Sequence, residues 1–188
     1  MSNFNYLQDI PEFTSFADLC IQAENTINMP SYSPCVIQCR VALEKCIKFI
    51  YSKERYLMIY DYNHMKLSAM LSNYEFRKLI PLPIQDKMHK IRKKGNKGLH
   101  NGIAYTEDVA IESLRDLFDI VQWIDQRYNT NHTPQYFSSA RIDRNHNPLQ
   151  NDSSQSNKPS LWRDLGFTAL GSVLTFVGLA ILGKNGKK

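Results

Sequence analysis

Cysteine is scarce and badly placed for anything but a reduced core. The four residues, Cys20, Cys35, Cys39 and Cys46, have neither the spacing of a disulfide framework nor that of a zinc site. Three of them would share one helix, where Cys35 and Cys39 sit a turn apart in a geometry poorly suited to bridging. Reduced thiols in a cytosolic domain are the expectation. The opening Met-Ser-Asn-Phe-Asn-Tyr lacks the basic start and apolar run of a secretion signal, so the first 130 or so residues are expected to remain cytoplasmic. Histidine is also sparse. His132 and His146 have no ligand-like neighbours at metal spacing, which leaves no metal and no cofactor to expect. Glycine numbers only eight, and five of these fall in the last 23 positions.

Positive charge, by contrast, is concentrated. A formal charge of +5 and a pI near 9.0 suit an anionic partner, nucleic acid or a lipid headgroup surface. Lys87, Lys90, Arg92, Lys93, Lys94 and Lys97 put six cations into eleven positions, within Lys87 to His100. On a helix, Arg92, Asn96 and His100 recur every four residues and project from roughly one face. A guanidinium, an amide and an imidazole in a row can handle phosphate: Arg clamps anionic oxygens, Asn orients, and His moves a proton near neutral pH. The same run also fits a solvated basic helix with a capping Asn and a surface His.

Apolar spacing predicts helices throughout the first 128 residues. Phe13, Phe16, Ala17, Cys20, Ala23 and Ile27 mark the first, over 13–27. Ser33 as N-cap and Pro34 as first helical residue open a second, running to about Lys53 with Ile37, Val41, Ile47 and Ile50 toward the core. Arg40 and Glu44 lie one turn apart on it; they form a surface ion pair, unless Arg40 faces the basic stretch. Tyr56 to Tyr62 reads as an aromatic connection, with packing favoured over base stacking. Short helices follow over 64–71 and 74–80, and Pro83 opens the helix that carries the basic stretch, with Ile84, Met88 and Ile91 on its buried side. Gly95 and Gly98 are costly in a helix interior, which close backbone approach, a kink or a helix end would each explain. Thr106 caps a last helix to about Tyr128, with Val109, Leu114, Leu117, Val121 and Ile124 inward.

Composition then divides the chain into a helical domain over 1–128, a polar linker over 129–160 and a C-terminal segment over 161–188. Leu165 to Gly183 is nineteen residues without a charge, behind Trp162 at an interfacial position, and just long enough to span a bilayer. Its glycines and hydroxyls also allow a core helix. Gly171, Thr175 and Gly178 can share a face, the pattern that permits close self-association of membrane helices.

Several segments together resemble a known family. They are Asn3-Phe4-Asn5-Tyr6-Leu7, Ala23-Glu24, Cys39-Arg40-Val41-Ala42-Leu43-Glu44, Phe76-Arg77-Lys78-Leu79-Ile80 and, above all, Ile91-Arg92-Lys93-Lys94-Gly95-Asn96-Lys97-Gly98-Leu99-His100. In this order, over about residues 3–128, they are similar to the small helical domain of unknown function at the N-terminus of restriction-type DEAD/DEAH helicases. That domain is in turn similar to the HEPN superfamily of helical bundles from prokaryotic defence systems, whose active members are metal-independent ribonucleases. The resemblance implies an Arg four to six residues before a His, often followed by Asn. Here Asn96 and His100 match, Gly95 occupies the usual Arg position, and Arg92 lies eight residues ahead of His100. It further implies a site assembled between two protomers.

The expected architecture is therefore all-α: a HEPN-like helical bundle, a polar linker and a single C-terminal transmembrane helix. The arrangement is similar in size and layout to small membrane-associated accessory proteins of RNA-targeting CRISPR systems. The first functional expectation is a self-associating, membrane-anchored antiviral defence effector or accessory protein of the bacterial inner membrane, which it perturbs. The second is a ribonuclease using Arg92, Asn96 and His100. The third is a binding module that holds RNA, or a CRISPR- or helicase-type defence partner, through Lys87, Lys90, Lys93, Lys94 and Lys97.

Overall fold

The structure, a computed structural model, describes residues 2–142. The anticipated membrane segment with Gly171, Thr175 and Gly178, and the linker beyond residue 142, lie outside the described residues. Among the described residues all regular structure is helical: α1 (Thr14–Asn25), α2 (Ser33–Lys53), α3 (Leu67–Ser72), α4 (Tyr74–Leu79), α5 (Leu82–Asn101) and α6 (Glu107–Tyr128), with four short 3-10 turns.

The central element is α2, which packs against α1, α5 and α6. Small side chains make this possible. Cys35, Cys39, Ala42 and Cys46 are fully buried along it and let neighbouring helices approach, while Val36, Leu43, Ile47 and Ile50 fill the remaining space. Burial and the adjacent Cys46 and Cys35 thiols push Cys20 and Cys39 well above the ordinary thiol range, so these groups serve as small protonated hydrophobes. Ile37 and Val41, expected inward, are only half-buried. Ringed on several sides by other helices, α2 buries an arc that takes in Val36, Ile47 and Ile50 but leaves Ile37 and Val41 at its edge.

Two helix starts differ in detail from expectation. Tyr32, not Ser33, holds the N-cap position of α2, and the Ser33 hydroxyl instead donates to the Ile103 carbonyl (2.8 Å) and accepts from the Tyr105 amide (3.3 Å). It ties the α5–α6 connection to the start of α2. His64 and Met65 belong to a turn, not to α3, because Asp61 holds His64 through its carboxylate (2.8 Å) and Lys66 is extended. At the next corner the buried Gln85 amide donates to the Arg77 (2.8 Å) and Ile80 (2.7 Å) carbonyls, closing α4 onto α5.

Close helix approach explains both internal glycines of α5. A Cβ on Gly98 would sit 3.2 Å from Ile37 Cγ1 and 3.2 Å from Tyr105 Cε2, and one on Gly95 would fall 2.5 Å from Arg40 Cβ. The helix therefore runs unbroken through both and ends at Gly102, whose φ of 59° suits a left-handed C-terminal residue.

The body extends past residue 128, where a linker was expected. Gln135 N donates to Gln122 Oε1 (3.0 Å), Ser138 N donates to Asn3 Oδ1 (2.8 Å), Phe137 meets Phe118 edge-on, and Ile142 is buried. Asn3 in turn gives its amide N–H to buried Glu24 (2.8 Å). Residues 129–142 thus clasp the N-terminus. Their isolated apolar anchors have no periodicity by which to be recognised.

Overpacking the α2–α5 crossing is expected to be costly. Gly98→Val should lower the unfolding free energy by about 1–3 kcal/mol in urea titrations, because Ile37 and Tyr105 must yield. Gly102→Ala should cost about 1–2 kcal/mol, through its positive φ alone.

Candidate nucleic-acid interface

Helical geometry sorts the basic stretch into flanks, since successive residues turn about 100° around the axis. Toward α6, Lys87 pairs with Asp116 (3.1 Å) and Asp119 (2.9 Å), and Lys94 pairs with Glu112 (2.7 Å). The Lys94 bond holds the Glu112 carboxyl below its ordinary range against the opposing effect of burial. Burial works to lower the Lys87 pKa, but Asp119 and Asp116 outweigh it and raise it. These two lysines, grouped by sequence with a binding surface, hold α5 against α6. Lys90, Lys93 and Lys97 remain exposed, with no ion pair among the described residues.

The opposite flank carries Arg92, Asn96 and His100. All three line one cleft of about 390 Å³, together with Arg40 and Glu44 of α2 and the segment His64, Met65, Lys66, Leu67 and Ser68. The one-face arrangement expected from spacing therefore holds, and the helix persists far enough to include His100. Arg40 does face the basic stretch: its Nε donates to Asn96 Oδ1 at 2.6 Å. Its Nη1 also lies 3.8 Å from Glu44, whose other oxygen pairs with Lys48 at 3.2 Å. Three permanent cations, Arg40, Lys66 and Arg92, thus line the cleft with one carboxylate, Glu44, before His64 and His100 are counted.

Arg92 carries a distinctive feature. Its Nε is buried and has no hydrogen-bond acceptor among the described residues. An unsatisfied buried donor typically costs about 1–3 kcal/mol, and more when charged. Nearby, His89 is depressed below the ordinary histidine range, first by burial and then by the positive charges of Arg92, Lys93 and Arg77. The ring reports the positive potential along this side of α5.

Spacing along α5 assembles Arg92, Asn96 and His100, but it leaves Arg40 open and gives no sign of His64 or Lys66. The last two reach the cleft only because the Asp61 turn folds the loop back toward α5, an arrangement with no local periodicity to reveal it. Of the aromatics in that loop, Tyr60 and Tyr62 pack against the core and Tyr56 is exposed. A second cleft, of about 500 Å³, lies between the N-terminal turn and the end of α6 and includes Asp9, Glu12 and Asp125. Beside it, His132 Nδ1 lies 2.7 Å from the buried Asp125 carboxylate. No group of three or more His, Cys, Asp or Glu side chains among the described residues is arranged to hold a metal ion.

The family model described as Domain of unknown function (DUF4145) matches residues 22–133, more than half of the chain. The match spans Arg40, Glu44, His64, Arg92, Asn96 and His100, and omits the uncharged C-terminal run. No curated protein and no solved structure matches the chain.

His89 offers a direct measure of this field. In an NMR titration it should ionise below 6.5, and Arg92→Gln should move it part of the way back, burial being the larger cause. Because the folded value is depressed, native stability attributable to this group is full above 6.5 and is lost as pH falls through the folded value.

Proposed function

We propose that this chain, which belongs to the family of the domain of unknown function DUF4145, is a HEPN-like helical protein whose α2–α5 cleft binds an RNA phosphodiester and cleaves it. The observation that carries the reading is the convergence of Arg40, Arg92, Asn96 and His100 on one cleft. Guanidinium groups bind phosphate oxygens through paired N–H donors, and a histidine at the rim is placed for proton transfer. The exposed Lys90, Lys93 and Lys97 extend the contact along neighbouring phosphates.

In the reaction, the 2′-hydroxyl oxygen bonds to the adjacent phosphorus and the P–O5′ bond breaks. The proton leaving the 2′-oxygen passes through His100 to O5′, giving a 2′,3′-cyclic phosphate and a 5′-hydroxyl. A guanidinium of the cleft stabilises the charge that gathers on the non-bridging oxygens. Half-exposed Leu99 and neighbouring Ile103 flank His100 and support a second copy packing at this end of α5, as HEPN-like sites assembled from two protomers require.

Single-turnover cleavage of a short single-stranded RNA should fall by about 10²–10⁴ in His100→Ala with binding largely kept. Replacing Lys90, Lys93 and Lys97 by Ala should reduce the salt dependence of binding by about one unit of slope per phosphate contact. RNA that survives intact with the wild-type protein, or cleavage unaffected by His100→Ala, would contradict the assignment.

The uncharged run Leu165–Gly183 supports a second, compatible reading: attachment to the bacterial inner membrane and self-association there through Gly171, Thr175 and Gly178, as in a defence effector that perturbs the bilayer. Placing arginine at Leu174 and Val177 of the full chain, at about 2.5–3.5 kcal/mol each near a bilayer centre, should move it from the membrane to the soluble fraction. Wild-type protein found only in the soluble fraction would rule the attachment out.

A further inference from the structure

We infer that the guanidinium acting on the scissile phosphate is that of Arg40, delivered from α2 across Gly95, and that Arg92 holds a neighbouring phosphate. This rests on the reading of the cleft as an RNA site.

A general acid or base and an oxyanion donor must converge within about 3 Å of the reacting group. Arg92 and His100 are eight residues apart on one unbroken helix, so their backbones are separated by about 12 Å along the axis. Side chains on a helix lean toward its N-terminus, so Arg92 leans away from His100 while His100 leans back over Asn96. Within one protomer, Arg92 therefore falls short of the group that His100 serves. Asn96 is only one turn from His100, about 6 Å along the axis. The Arg40 Nε is already bound to the Asn96 amide oxygen at 2.6 Å. Within the cleft, Arg40 is the arginine held beside the His100 turn.

Gly95 supplies the route. A Cβ built there would lie 2.5 Å from Arg40 Cβ, 2.9 Å from its Cδ and 3.1 Å from its Cγ. The aliphatic stem of Arg40 thus occupies the space in which any side chain at position 95 would begin. Glycine at 95 and arginine at 40 are two halves of one arrangement. Asn96 orients the guanidinium through Nε, and Glu44 contacts it only at 3.8 Å, so the group is aimed without being tightly neutralised.

Because the two positions share one volume, the arginine should be movable. Single-turnover cleavage and equilibrium binding of a short single-stranded RNA would be measured for the full chain and four variants, with melting temperature as a control. Arg40→Gln should lower the cleavage rate about 100-fold or more with a smaller effect on binding, whereas Arg92→Gln should weaken binding more than it slows the bound reaction. Arg40→Lys should also be slow, because an ammonium lacks the planar fork. The exchanged pair Arg40→Gly with Gly95→Arg should recover at least a tenth of the wild-type rate. Arg40→Gln or Arg40→Lys cleaving within threefold of wild type would overturn the assignment, as would an exchanged pair that melts like wild type yet remains as slow as Arg40→Gln. If the exchanged pair melts early, the Arg40→Lys rate decides. Wild-type protein inert toward RNA would overturn the cleft's RNA role and this assignment with it, whereas normal wild-type cleavage with an indifferent Arg40 would remove only the latter.

Discussion

The close crossing of α5 over α2 is the contact on which the rest depends. Two glycines, Gly95 and Gly98, remove the side chains that would hold the helices apart, and Arg40, Ile37 and Tyr105 take up the space. Interiors packed to crystal-like density leave no slack at such a crossing. Without it Arg40 would have no path to Asn96, and α5 would present a basic face to water with no cleft beside it. The glycines are therefore not signs of a break in the helix but the condition for its docking.

The same crossing gives the basic stretch its division of labour. A run that reads as one cationic band separates on the helix into flanks with different partners. Lys87 and Lys94 meet acids of α6 and help to seat the helix. Arg92, Asn96 and His100 turn toward α2 and the His64–Ser68 segment, while Lys90, Lys93 and Lys97 face solvent. Isolated ion pairs of this partly exposed kind contribute little to stability. Their value here is orientation, since they fix which way the opposite flank points.

Around this contact the body is closed by buried polar links and aromatic packing. Glu24 and Asn3 join the N-terminal turn to α1 and then to residue 138, so the ends of the described region brace each other. Phe13, Phe16, Phe49 and Tyr128 meet largely edge-to-face near the junction of α1, α2 and α6. Beside them, Arg127 and Tyr128 both hold the Glu54 carboxylate at 2.8 Å and keep it below its ordinary range despite burial.

The sequence by itself determined the helices, because apolar spacing at Phe16, Cys20 and Ala23 or at Leu114, Leu117 and Val121 leaves few other ways to bury a face. It also set Arg92, Asn96 and His100 on one side of α5, since a four-residue interval fixes direction once a helix forms. Only the tertiary structure decided that the helix continues through Gly95 and Gly98, that Lys87 and Lys94 turn to α6, that residues 129–142 belong to the body, and that Arg40 and Lys66 enter the cleft. Those outcomes depend on contacts between positions as far apart as 40 and 96 or 3 and 138. Local periodicity carries no record of such pairs: it says which way a side chain leaves its own helix, not what waits there.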